Sequence, residues 1–94
     1  MQRITVENVR TALQDMKNTY VNALTNDELR KASLQDDLGL DERDFAAFVA
    51  KLENENGYFI DPIAVYNLGD ELTVTVKRFM RVGNAYLSEA RASA

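Results

Sequence analysis

The sequence predicts an all-α domain of four helices. Apolar side chains recur at steps of three and four residues in three separate stretches, and a residue that caps helix N-termini (Thr5, Asp41 or Asp70) stands before each stretch. A fourth, shorter stretch opens on Asp61-Pro62, an N-cap followed by proline at the first helical position. With 94 residues, 46% of them apolar, the chain fits one ordered domain. The expected domain covers residues 1–94, with its core between about 5 and 82 and a helical extension to about 91.

The first helix is expected over residues 4–24. Val6, Val9, Leu13, Met16, Tyr20 and Leu24 fall on one face, and Arg10, Gln14, Lys17 and Asn18 fall opposite. Thr5 caps it, and Glu7 lies near the positive end of its dipole. Residues 25–41 break the period. Thr25 and Glu28 have capping-box spacing, so a short helical turn is expected there. Leu29, Leu34, Leu38 and Leu40 are expected to tack this long loop to the core. The second helix, residues 42–56, has Asp41 as N-cap and Phe45, Phe48, Val49 and Leu52 as its buried face. Gly57 is positioned to end it in a left-handed conformation.

A short third helix is expected from Pro62 through Tyr66, ending near Asn67 or Gly69. The last segment carries two competing periods. Leu72, Val74 and Val76 alternate like a strand, helped by Thr73 and Thr75. Leu72, Val76, Phe79, Gly83, Tyr86 and Leu87 follow helical spacing over a longer run, which favours a helix capped by Asp70. Gly83 inside it costs about 1 kcal/mol relative to Ala, so it marks a kink or a close approach.

Composition narrows the chemistry. There is no Cys and no His. Disulfides, thiolate nucleophiles, Cys-ligated metals, imidazole ligands and a Ser-His-Asp triad are therefore excluded. The net charge of −4 argues against a nucleic-acid backbone as ligand. The acidity is local: residues 26–61 carry four cations and ten acids, while the flanking segments are each at +1. Such a field favours basic partners. The chain opens on no apolar run of signal-peptide length, and no stretch approaches the ~20 apolar residues of a membrane span. A cytoplasmic monomer without a membrane span is the expectation. The four glycines are isolated from any phosphate-loop pattern, and Leu38 interrupts the ligand spacing of a calcium loop begun at Asp36. The eight Tyr and Phe residues mostly fit core positions rather than a base-stacking platform.

The loop-to-helix junction reads Ala32-Ser33-Leu34-Gln35-Asp36-Asp37-Leu38-Gly39-Leu40-Asp41-Glu42-Arg43-Asp44-Phe45. It resembles the acyl carrier protein family, in which this run ends in Leu-Gly-x-Asp-Ser-Leu just before the second helix. Leu52-Glu53-Asn54-Glu55 and Phe59-Ile60-Asp61-Pro62 are similar to later stretches of the family, so the likeness covers roughly residues 6–82. The resemblance implies a four-helix bundle with a long loop between helices I and II. It also implies a non-enzymatic partner-docking role in a fatty-acid or polyketide-type synthesis system. The family carries 4′-phosphopantetheine on the Ser hydroxyl of its motif.

Here Glu42 stands at that Ser and Arg43 at the following Leu. A carboxylate cannot form the phosphodiester that a hydroxyl forms, so no cofactor is expected. The implied docking surface comprises Asp41, Glu42, Arg43, Ala46 and Ala47. Its implied partner is a protein with a basic patch, such as a synthase or acyltransferase. Glu42 either stabilises the first helical turn through the dipole or presents a fixed anion where relatives carry phosphate. Arg43 either pairs with Asp36, Asp37 or Glu42 or repels enzymes that expect an apolar residue. Two alternatives stay open: a genuine carrier whose attachment Ser is altered here or is a different one, among Ser33, Ser88 and Ser93, and an unrelated helical protein-protein interaction or self-association module.

Overall fold

The computed structural model describes residues 3–61 and 74–89. These residues form a mostly helical structure with one small β-ribbon. The first helix, α1 (Val6–Asp15), starts at a capping box: the Thr5 side chain accepts from the Asn8 N–H, and the Asn8 side chain accepts from the Thr5 N–H. Val6, Val9, Ala12 and Leu13 form its buried stripe.

The helix stops well short of residue 24. Lys17 adopts a left-handed φ of 68°, and the Asn18 N–H donates back to the Leu13 carbonyl at 3.0 Å, which closes the last turn. A 3₁₀ segment, Thr19–Ala23, then folds back along α1. Gln14 Nε2 donates to Asn22 Oδ1 at 2.7 Å, and the Arg10 guanidinium donates to the Val21 carbonyl and to Asn26 Oδ1. The change of helix type re-aims the side chains. Val21 becomes fully buried, and Tyr20, expected on the core face, is 54% exposed.

α2 (Asn26–Lys31) begins at the expected capping box, with Thr25 and Glu28 exchanging hydrogen bonds. Arg30 and Asp27 form an exposed ion pair at 3.1 Å, worth at most a few tenths of a kcal/mol. α3 (Glu42–Asn56) runs between Asp41 as N-cap and Gly57 in the left-handed region (φ 72°), as expected. Leu29, Leu34, Leu38 and Leu40 are all buried, so the loop is pinned to the core.

The competition between strand and helix in the last segment resolves within the chain. Val74 and Thr75 are extended: the Val74 carbonyl accepts from the Leu34 N–H at 2.9 Å, and Thr75 bridges Ser33. α4 (Val76–Ala85) follows, with Thr75 rather than Asp70 as its cap. The β-branched pair therefore takes the extended backbone it prefers, and helix begins only past it. The expected third helix at Pro62–Tyr66 and the Asp70 cap lie outside the described residues.

Of the helical extension expected to about 91, residues 87–89 are strand, and residues 90–91 lie outside the described residues. Residues 58–60 form β1 (Tyr58–Ile60), and residues 87–89 form β2 (Leu87–Glu89). They pair antiparallel, with Phe59 opposite Ser88 and Ile60 opposite Leu87. Tyr58 and Ile60 point inward, while Phe59 is 44% exposed and Tyr86, the residue that ends α4, is 53% exposed. Helical spacing places Tyr86 on the core face, and Phe59 belongs to an aromatic set expected mostly in the core. The structure instead uses them on the outer side of the ribbon and at a helix end.

The core is carried by α1, α3 and α4, with the loop leucines beneath. Phe79 of α4 meets Phe45 edge-on at a centroid distance of 5.9 Å and Phe48 at 5.3 Å, within the range of favourable aromatic pairs. Gly83 is the close approach that its position suggested. A Cβ there would lie 2.6 Å from Ile4 Cδ1. Beside it, Asn84 holds the main chain of Ile4 in both directions: Oδ1 accepts from the Ile4 N–H at 2.7 Å, and Nδ2 donates to the Ile4 carbonyl at 3.2 Å. No helix among the described residues is long and apolar enough to cross a membrane.

Gly83→Ala adds about 1 kcal/mol of helix propensity but must displace the buried Ile4 methyl, an overpacking cost of about 1–3 kcal/mol. Urea denaturation should show it neutral to destabilising alone. In an Ile4→Val background, which removes that methyl, it should be stabilising; equal effects in both backgrounds would refute the contact.

Two ionisable groups give pH signatures. Burial, then Glu53 and Glu55 nearby, push the Tyr58 phenol up to about 12. Its neutral form is thus favoured by folding, and this stability is intact below pH 10 and lost as the pH rises toward 12. The expected loss in that window is roughly 2–3 kcal/mol and should be missing in Tyr58→Phe, as followed by circular dichroism at alkaline pH. Glu55 is raised chiefly by its hydrogen bond with Asp15, then by desolvation and the Asp15 charge. The pair is exposed, so its contribution is small. It favours the fold below the ordinary carboxylate range and fades as the pH rises through the raised value. Glu55→Gln should therefore be slightly stabilising at pH 7 and neutral at pH 4 in thermal melts.

Candidate functional site

The junction between residues 32 and 47 is built from its backbone outward. At its start the Ala32 carbonyl accepts from the Val76 N–H at 2.9 Å, and the Leu34 N–H donates to Val74. The loop is thus fastened to the start of α4. It then turns on Ser33: the Asp37 and Leu38 N–H groups both donate to the Ser33 carbonyl, at 3.1 and 3.0 Å. The Ser33 side chain accepts from the Asp36 N–H at 3.0 Å, and Asp37 Oδ2 accepts from the Ser33 N–H at 2.7 Å. Short side chains that bond nearby backbone favour such turns over helix.

Gly39, at φ 73°, reverses the chain so that Leu38 and Leu40 both point into the core. Asn18, in the turn after α1, donates from Nδ2 to the Leu38 carbonyl at 3.0 Å. The Leu40 N–H returns to the Leu34 carbonyl at 2.9 Å and closes the loop. α3 then begins at a reciprocal cap, with Asp41 Oδ1 accepting from the Asp44 N–H at 2.8 Å and Asp44 Oδ2 accepting from the Asp41 N–H at 3.4 Å.

This scaffold brings the expected site residues to one exposed region. Asp41, Glu42 and Arg43 are exposed at the start of α3, and Ala46 and Ala47 are exposed one turn further on. The inward positions of the same helix are Phe48, Val49 and Leu52, with Phe45 partly buried against them. Arg43 pairs with none of Asp36, Asp37 and Glu42; the ion pair among the described residues is Arg30–Asp27.

The five acids of the junction divide by what they hold. Asp37 is committed to Ser33, and Asp41 and Asp44 are committed to the cap of α3. Asp36 and Glu42 accept no side-chain hydrogen bond among the described residues, so their charges face solvent. Among the described residues no group of three or more acids is placed to hold a metal ion.

Ser33 is 8% exposed, and its hydroxyl is used within the turn. Ser88 lies in β2, and Ser93 lies outside the described residues. The turn-forming role of Ser33 and Asp37 and the Asn18 tether were not read from the sequence. Only the spacing of Ser33 from Asp36 and Asp37 signals the turn, and nothing local signals the tether.

Ser33→Ala and Asp41→Ala should each cost about 1 kcal/mol in chemical denaturation, since each removes a turn or cap hydrogen bond. Asp36→Asn and Glu42→Gln should leave stability within about 0.5 kcal/mol, because those carboxylates hold nothing in place. A large loss from either exposed carboxylate would contradict this division.

No protein-family model, no curated protein and no solved structure matches the chain.

Proposed function

We propose that this chain is a non-enzymatic docking module of the acyl carrier type that works without a phosphopantetheine arm. The observation that carries the reading is the exposed Glu42 at the first residue of α3, held out by a hydrogen-bonded loop and a capped helix start. In the family that the junction resembles, this position presents the modified Ser to partner enzymes. Here it presents a fixed carboxylate, with Asp36 adding a second uncommitted charge in the same acidic segment.

The partner that suits such a surface is a protein bearing Arg or Lys at its docking site, such as a synthase or acyltransferase. Contacts of this kind steer encounter and select partners more than they add affinity, and they weaken with salt. Arg43 adds discrimination: a cation where relatives present an apolar side chain disfavours enzymes shaped for the apolar one. The small exposed Ala46 and Ala47 leave room for a partner's side chains to approach the helix. Carriage at Ser33 is disfavoured by its burial and by the hydrogen bond its hydroxyl already accepts.

Incubation with coenzyme A and a phosphopantetheinyl transferase, followed by intact-mass measurement, tests this reading. The wild-type chain should gain no mass, and Glu42→Ser combined with Arg43→Leu should gain one arm. An arm on the wild type would overturn the proposal. Failure of the double variant to be modified would remove the acyl-carrier likeness from its basis.

A further inference from the structure

We draw no further inference here: the strongest candidate, the cationic face of α4 where exposed Lys77 and Arg81 lie one turn apart ahead of exposed Tyr86, carries nothing because nothing in the structure shows what covers it.

Discussion

Two short backbone segments, residues 32–34 and 74–76, hold this structure together at the end where the acidic loop meets α4. The hydrogen bonds from Leu34 to Val74 and from Val76 to Ala32, with the Ser33–Thr75 bridge, are main-chain contacts. They depend little on which side chains stand there, but they fix two things at once. The acidic loop gains a rigid base, and α4 gains a starting point from which Phe79 reaches Phe45 and Phe48. An unpaired buried main-chain group costs about 1–3 kcal/mol, so opening this ladder is opposed by more than the sum of its net bonds. The position of Glu42 therefore rests on a contact far from it in sequence.

The acidity concentrated in residues 26–61 is a single block in the sequence, and the structure divides it by role. Three carboxylates of the junction act as local structure, each accepting a backbone N–H. Charge-assisted bonds of this kind are stronger than neutral ones. Two carboxylates remain outward. The carboxylates with no structural task are thus fewer than a count of acids suggests, and Glu42, one of the two, stands in the first turn of α3.

Much of the fold was legible because helix starts are local. Thr5, Thr25 and Asp41 each cap with a partner three residues on, a relation contained within a single turn. Gly57 ended α3 for an equally local reason. The errors share a different cause. The end of α1 depends on Lys17 entering a conformation that favours Gly or Asn, and on Gln14 and Arg10 reaching across to the following turn. The ribbon pairs residues 58–60 with residues 87–89, and helical spacing through Tyr86 and Leu87 concealed it. At the site, the exposure of Asp41, Glu42, Arg43, Ala46 and Ala47 followed from the buried stripe of α3. The Ser33 turn did not, because a serine in an acidic loop reads equally well as solvated.

The grip of Asn84 on Ile4, together with the β1–β2 ribbon, bears on how the chain comes to be folded. The segment preceding α1 is secured by a side chain near the far end of the domain. A ribosome releases the first helix before Asn84, so the two hydrogen bonds on the Ile4 main chain form only once Asn84 has emerged. Until then α1 draws on its own cap, on the 3₁₀ segment that folds back along it and on α3, and the β1–β2 ribbon pairs only once residues 87–89 are free of the tunnel.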